Sequence, residues 1–278
     1  MTFVKEIEEI KETDEQSEEE LFREAHKPPT DLIFDDGEPM ESNRHRIAMN
    51  VLIESINHHF RERNDYFAGG NMFIYYSKKQ VKNYDFRGPD FFVVLDVEYN
   101  PDRQGWVVWD ENGRYPDIIV ELMSPSTAKI DKTIKKDIYG RTFRTSDYFI
   151  FDPFESDSLQ GWHLNLDNGY QELQVNEKGW LWSQKLQLWL GIWEGEINNV
   201  NTQWLRFYDS NENLVLLPYE AAQKQADIEK QRAETAQQRA ETAEQRAETA
   251  EQRAETAEQK AARLAAKLRE LGQDPDTI

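Results

Sequence analysis

The stretch PDIIVELMSPST (116–127) decides how this chain folds. Its apolar run (117–122) lies between proline and serine, the pattern of a short buried strand. A basic helical stretch follows, whose isoleucines recur every four residues and should dock the helix on a sheet: Ile130, Ile134 and Ile138. A second apolar run, DYFIFD (147–152), comes next. A strand, a helix and a strand in this order predict a parallel crossover, and hence a mixed α/β sheet flanked by helices.

Further runs on both sides of this unit predict the rest of the fold. Apolar residues at helical spacing predict a helix over 43–60, with Ser42 or Asn43 as its N-cap. Short runs rich in β-branched and aromatic residues predict strands at 72–77, 90–97 and 106–109. Downstream, turn residues separate four more runs, which we interpret as added antiparallel strands at 161–166, 170–175, 185–193 and 203–208.

Composition and charge exclude several classes of site. The 278 residues contain no cysteine, so disulfides, thiolate metal sites and cysteine nucleophiles are excluded, and a hard ion such as Mg²⁺ is favoured. A net charge of −20 argues against a general nucleic-acid binder. The acidic residues concentrate in 1–42, where 15 stand against 4 basic ones. The local net charge is positive over residues 123–146, which contain six basic residues and two acidic ones. Such a segment is typical of a solvated helix face.

The sequence divides into four segments by composition. We predict an acidic flexible extension (1–27), one folded domain (28–217), a heptad-repeat helix (218–272) and a short tail (273–278). The start is acidic, and no apolar run approaches the ~18 residues of a membrane span. We therefore expect a cytoplasmic protein without a membrane partner.

A strict seven-residue repeat, RAETAQQ followed by three copies of RAETAEQ, fills residues 232–259. Alanine occupies positions a and d, and the register continues into leucines at Leu264, Leu268 and Leu271. Arginine falls at g and glutamate at e, so the charges are placed to pair between parallel helices rather than within one helix. This pattern predicts a parallel homodimer through 226–271, and the alternative is a solitary solvated helix.

Two acidic residues lie on apolar strands of the predicted sheet. Asp90 opens one strand and Glu121 lies within another. A carboxylate buried in such surroundings is costly without a metal ion or a donor, and two carboxylates on neighbouring strands suit Mg²⁺. Strand alternation puts Met123 where a lysine would point into the same site. A lysine from the following helix, Lys135 or Lys136, is the nearest replacement.

Five blocks of sequence together resemble one family. They are GEPMESNRHR (37–46), GPDFFVVLDV (88–97), PDIIVELMSPST (116–127), KKDIY (135–139) and SDYFIFDP (146–153). In this order they resemble the Uma-type family of restriction-endonuclease-like proteins, part of the PD-(D/E)XK nuclease superfamily, over residues 28–217. The resemblance implies a restriction-endonuclease-like core with added antiparallel strands and a long C-terminal coiled-coil helix.

The resemblance also implies roles for single residues. Asp90 and Glu121 match the metal-binding acids, with Mg²⁺ as the cofactor and Mn²⁺ as its substitute. Lys135 matches the migrated catalytic lysine, and Lys136 is the fallback. Glu41 and His45 match an acidic-plus-histidine entry to the first helix, where either could contact water or metal, although His45 could equally be a helix-start residue bonded to backbone.

These observations support two hypotheses of different classes. The first is a Mg²⁺-dependent endodeoxyribonuclease whose basic helix contacts the DNA backbone through Lys132, Lys136, Arg141 and Arg144. The second is a catalytically weak or inactive nuclease-fold scaffold that assembles through its coiled coil. The acidic net charge and the absence of a recognisable specificity domain favour the second.

Overall fold

The computed structural model describes residues 32–34, 42–77, 87–271 and 275. The predicted acidic extension therefore lies outside the described residues, as does most of the predicted tail. The chain divides into two units, Met1–Pro218 and Tyr219–Ile278, and each is described by itself.

Eleven strands build the described part of the first unit. They are β1 Tyr66–Gly69, β2 Ile74–Tyr75, β3 Phe91–Leu95, β4 Trp106–Val107, β5 Ile118–Leu122, β6 Asp147–Asp152, β7 Glu155–Asn165, β8 Gly169–Glu172, β9 Leu181–Ser183, β10 Leu188–Ile197 and β11 Val200–Tyr208. Six of them form a central sheet in the order β1-β3-β5-β6-β7-β8. Within it β5 and β6 run parallel while the other neighbours are antiparallel, so the predicted mixed α/β sheet is confirmed.

The remaining strands form two smaller sheets. β11, β10 and β9 make an antiparallel sheet, and β2 pairs with β4 in parallel. The fully buried Asp147 joins the central sheet to the antiparallel one: its carboxylate accepts hydrogen bonds from Ser183 Oγ at 2.7 Å and from the Lys185 amide at 3.0 Å. His163 Nδ1 contacts its other oxygen at 2.7 Å. Because the hydroxyl and the imidazole both bind Asp147 and not each other, this cluster is a tie between sheets rather than a nucleophile triad.

The predicted first helix is present as α1, Asn43–His59. Ser42 is its N-cap, and the Ser42 hydroxyl accepts a hydrogen bond from the His45 amide at 3.3 Å. Its buried residues lie at the spacing of one helical face and pack in the core cluster that also contains Phe91 of β3 and Val120 of β5: Ile47, Val51, Leu52 and Ile56. This helix therefore covers one face of the central sheet.

A helix of mixed geometry covers the other face, and we call it the mixed helix (128–143). It is α-helical over Ala128–Ile130 and Lys136–Ile138, and π-helical over Asp131–Lys135 and Tyr139–Phe143. On a regular α-helix a four-residue step turns by about 40°. The π turns, closed by i→i+5 bonds, are wider and offset this drift, so that residues four apart stay on one face.

The face of the mixed helix that meets the sheet is not the predicted one. Ile130 is 45% exposed and Ile134 54% exposed, whereas Asp131 and Tyr139 are buried. The prediction that the isoleucines dock this helix is therefore wrong for these two positions, and only Ile138 packs against the core. The same four-residue spacing describes Asp131, Lys135 and Tyr139. These three residues face inward because of the geometry of the helix, and not because of the hydrophobicity of their side chains.

The described residues of the second unit lie almost entirely in one long helix, α2, from Pro218 to Glu270, which has no buried residue. Within the repeat (232–259), which is fully described, no arginine and glutamate form an ion pair. The long polar side chains bond locally instead, as where Gln237 donates to Glu241 at 3.0 Å. The charges at the predicted e and g positions are thus unpaired within the helix. In the part of the chain that the structure describes, no helix has the length and apolar character to cross a membrane.

Candidate active site

Two strands of the central sheet bring Asp90 and Glu121 side by side. Phe91 of β3 pairs with Val120 of β5, so Asp90 and Glu121 are the next two residues in the antiparallel register. Alternation along β5 places Glu121 on the face that also carries Met123, the face covered by the mixed helix. The Asp90 carboxylate accepts a hydrogen bond from the Leu122 amide at 2.7 Å, which fixes it at the start of its strand.

The Glu121 side chain is fully buried beneath the mixed helix. Its Oε1 accepts a hydrogen bond from the Tyr139 hydroxyl at 2.7 Å, and its Oε2 lies 3.0 Å from the Lys135 ammonium. No regular hydrogen bond reaches Oε2 from the described residues, so its contact is this ionic one. The structure thus brings the three predicted residues Asp90, Glu121 and Lys135 together, although they are far apart in the sequence.

A fourth charged residue, Asp131, belongs to the same cluster, and our sequence analysis did not select it. Only 1% of its surface is exposed, and its Oδ1 lies 2.8 Å from the Lys135 ammonium. The signal was in the sequence, because Asp131 precedes Lys135 by four residues on a predicted helix, the spacing of an ion pair. The isoleucine pattern predicts a different inward face for this helix, and that face does not include Asp131.

Burial and charge shift the titration of this cluster. Burial, reinforced by the neighbouring Glu121 charge, raises the pKa of Asp90 well above its ordinary value, and the same two causes raise the pKa of Asp131. Burial alone would lower the pKa of Lys135, but the nearby Glu121 and Asp131 charges outweigh it and raise that pKa. Burial and the Glu121 charge also raise the pKa of Tyr139. Lys135 is therefore held as an ammonium and Tyr139 as a neutral hydrogen-bond donor.

The accessory residue His45 is bound by side-chain and backbone partners next to this cluster. Both ring nitrogens of the buried His45 have partners, Nδ1 with Ser42 Oγ at 2.8 Å and Nε2 with the Met123 carbonyl at 3.2 Å. The histidine thus ties the start of α1 to the end of β5, which corresponds to the helix-start alternative. Glu41 lies outside the described residues.

Lys136, the fallback lysine, points elsewhere. Its ammonium lies 3.7 Å from the centre of the Trp162 ring, a cation–π contact on another side of the mixed helix. Arg141 is exposed and pairs with Asp137 at 2.7 Å. Lys132 is exposed on the same helix, and Arg144 is exposed directly after its end. Among the four predicted DNA contacts, Lys132 and Arg144 are therefore those whose charges form no ion pair or ring contact with the described residues.

The donor set fits a hard divalent ion. Mg²⁺ is commonly held by one or two carboxylates while it keeps several waters, and the two adjacent carboxylates of Asp90 and Glu121 match this requirement. Their mutual repulsion, which the Lys135 ammonium offsets, is the electrostatic condition under which a cation is favoured. Across the described ranges, no three histidine, aspartate or glutamate side chains are arranged to hold a metal ion jointly.

Comparison with known proteins places this chain in a family. The model of the Uma2 family, described as "Putative restriction endonuclease", matches residues 19–201. A solved structure described as a "putative nuclease belonging to DUF820 from Anabaena variabilis ATCC 29413" is similar at 13% identity, covering 57% of this chain and 86% of that chain with a TM-score of 0.39. No curated protein matches the chain significantly. The matched residues span more than half of the chain and include every block that carried the resemblance, so the chain belongs to the Uma2 family.

Proposed function

We propose that this protein is a metal-dependent endonuclease-like phosphodiesterase that hydrolyses DNA. The observation that supports the proposal best is the adjacent pair of carboxylates, Asp90 and Glu121, with the Lys135 ammonium 3.0 Å from Glu121 Oε2. Carboxylates that bind a divalent cation, together with a fixed positive charge, are the groups that phosphodiester hydrolysis requires, because negative charge develops on the phosphorus oxygens in the transition state.

Each residue of the cluster has a separate role in this proposal. Asp90 and Glu121 would hold Mg²⁺, with Mn²⁺ as a substitute, and the bound ion supplies polarisation of the phosphodiester and a more acidic water. The contacts of Lys135 with Glu121 and Asp131 keep it protonated. Lys135 therefore orients the attacking water and stabilises the developing negative charge, and it does not remove a proton. Tyr139 holds Glu121 in place through its hydroxyl.

The exposed basic residues of the mixed helix would meet the phosphate backbone. Lys132 and Arg144 are exposed, whereas Arg141 would have to share or leave its contact with Asp137. Each phosphate contact of this kind adds affinity that falls as the salt concentration rises. We therefore expect weak, salt-sensitive and sequence-independent attraction from this helix.

We further propose that the chain is a parallel homodimer through residues 226–271. The repeat carries arginine at g and glutamate at e, and no arginine–glutamate ion pair forms within the described repeat. In a parallel, in-register pair these charges attract, while an antiparallel pair would place like charges together. Parallel pairing puts the starts of both α2 helices, each of which follows a nuclease-like domain, at the same end of the dimer. Two such domains suit cutting of both DNA strands.

A second function, an inactive scaffold, has one observation in its favour. The Lys135 ammonium lies 3.0 Å from Glu121 Oε2, so the protein itself supplies a counterion to the buried glutamate. A titration of Mg²⁺ and Mn²⁺ with a supercoiled plasmid as substrate distinguishes the two functions. The variants are Asp90→Asn and Glu121→Gln, which remove a ligand charge at constant volume, and the matched control is Asp102→Asn in an exposed loop.

We expect metal-dependent nicking by the wild type and by Asp102→Asn, and loss of at least about 100-fold in the two site variants, because each removes an anionic ligand. Circular dichroism should show that all variants fold. Nicking that persists at the wild-type rate in both site variants would assign the activity to another site or to a contaminant. A folded wild type without nicking at any metal concentration would favour the scaffold.

A further inference from the structure

The mixed helix begins its first π segment with a carboxylate that the proposed roles above leave unused. Asp131 is almost completely buried, and its main-chain carbonyl accepts a hydrogen bond from the Tyr148 hydroxyl of β6 at 2.9 Å. This bond anchors the first turn of the helix on the central sheet. The position of the Asp131 carboxylate is thus set by the backbone and not by a mobile surface loop.

A buried carboxylate is costly unless it is paired. Asp131 Oδ1 lies 2.8 Å from the Lys135 ammonium and receives no regular hydrogen bond from the described residues, while the Thr127 side chain also hydrogen-bonds the carboxylate. The Lys135 ammonium lies at the same time 3.0 Å from Glu121 Oε2. One ammonium therefore lies between two buried carboxylates, one from the helix and one from the sheet.

Glu121 is an insufficient anchor for Lys135 in an active protein, because the proposed function assigns its carboxylate to a cation. The lysine stem has four flexible carbons, and an ammonium that orients a water must be held in one place. Asp131 is the partner that stays with Lys135 whatever Glu121 binds. In addition, the described residues contain no trio of acids or histidines that could share a metal ion, so Asp131 is not a third ligand of Asp90 and Glu121.

We propose that Asp131 is a positioning residue, which holds the Lys135 ammonium over the carboxylate pair of Asp90 and Glu121. This inference rests on the proposed nuclease function for its effect on turnover, but the anchoring of Lys135 itself is independent of that function. A positioning partner of this kind typically contributes 10- to 100-fold, which is the order of loss we expect.

The test compares Asp131→Asn with Asp137→Asn, the same change at an exposed position of the same helix. Three quantities are measured: kcat and KM for plasmid nicking, the calorimetric Kd for Mn²⁺, and the ¹H–¹⁵N signal of the Lys135 ammonium in metal-free protein, assigned by its loss in Lys135→Met. For Asp131→Asn we expect kcat to fall by about 10- to 100-fold. We expect KM and the Mn²⁺ Kd to stay near wild type, and the ammonium signal to broaden or vanish. Asp137→Asn should leave kcat, the Mn²⁺ Kd and the ammonium signal at their wild-type values, and any change should be limited to a lower KM, because this variant releases Arg141.

A stability cycle covers the case in which turnover is absent or Asp131→Asn folds poorly. With Lys135 present, Asp131→Asn should lower Tm. In the Lys135→Met background the same change should raise it, because Asp131 is then a buried charge without its partner. A wild type that does not nick the plasmid would contradict the proposed function. The stability cycle and the ammonium signal would still test whether Asp131 anchors Lys135.

Three results would overturn the inference. The first is a wild-type kcat and ammonium signal in Asp131→Asn. The second is a Tm change of the same sign in both lysine backgrounds. The third is a weaker Mn²⁺ Kd in step with kcat, which would make Asp131 a metal ligand.

Discussion

Asp90 and Glu121 are cross-strand neighbours whose carboxylates face the same side of the central sheet. Their placement follows from the pairing of Phe91 with Val120, the last pair before them in the register of β3 and β5. Because side chains alternate along a strand, a slip of one residue in either strand would send one carboxylate to the opposite face. The pairing of two apolar residues thus determines whether the acids can act together.

The first prediction concerns pH and the metal-free protein. The raised pKa of Asp90 means that the folded state binds its proton more tightly than the unfolded state, in which carboxyl groups titrate near pH 4. The stability that Asp90 provides is therefore lost as the pH rises above about 4. In EDTA, Asp90→Asn should have a Tm close to wild type at pH 4 and higher by several degrees at pH 7.

Thermal unfolding followed at several pH values measures this difference. Asp102→Asn is the control, because its exposed carboxylate should give no pH-dependent difference from the wild type. A gap between Asp90→Asn and wild type that stays constant from pH 4 to pH 7 would contradict the prediction.

The second prediction concerns the hydroxyl of Tyr139. Tyr139→Phe removes the 2.7 Å donor to Glu121 Oε1 and leaves a buried carboxylate oxygen without it. Hydrogen bonds to charged groups contribute about 1.5–3 kcal/mol, and we expect a loss of unfolding free energy of that size. The comparison variant is Tyr170→Phe, which removes a bond to the neutral Thr145 carbonyl and should cost about 0.5–1.5 kcal/mol. Urea denaturation of both proteins tests the order, and equal losses would show that Glu121 does not depend on Tyr139.

The third prediction tests which face of the mixed helix is buried. Ile134 is more than half exposed, so Ile134→Ser should change the unfolding free energy by less than about 0.5 kcal/mol. Ile150 is completely buried on β6, and Ile150→Ala should cost about 2–5 kcal/mol. Chemical denaturation measures both. A large loss in Ile134→Ser would restore the original prediction that the isoleucines dock this helix.

The fourth prediction concerns assembly. The alanine layers of α2 bury little area, so the exposed leucines near its end should provide most of the pairing energy. Replacing Leu264, Leu268 and Leu271 together by alanine should convert a dimer into a monomer. The control replaces three residues of the opposite face by alanine: Arg263, Arg269 and Glu270. Sedimentation at tens of micromolar decides, and a wild type that sediments as a monomer would leave α2 a solitary helix.

Local pattern was sufficient for the framework of the fold. The two apolar runs around the basic helical stretch became β5 and β6, paired in parallel as the crossover rule requires. Two short strands were not predicted, Tyr66–Gly69 and Leu181–Ser183. Each has only three or four residues and owes its place to pairing, the first with the distant β3 and the second with β10, which follows it in the chain. Pairing of this kind leaves little trace in the local sequence.

The candidate site was only partly predictable, for a different reason. Asp90 and Glu121 stood out because each interrupts an apolar strand, and Lys135 was selected through the resemblance to a family. Asp131 was missed because the inner face was inferred from the isoleucines, two of which are exposed, whereas that face carries Asp131 beside the buried Tyr139 and Phe143. Here a buried ion pair, rather than isoleucine, occupies the inner face, and π-helical turns keep it there.

The contact between Lys135 and Glu121 bears on how the protein folds without a metal ion. Since an internal counterion already balances the deepest carboxylate, the domain does not depend on a cation to complete its core. For the proposed nuclease, folding would then not require the metal ion. A chelator should silence such a protein without unfolding it, and returning the ion should restore activity without a refolding delay.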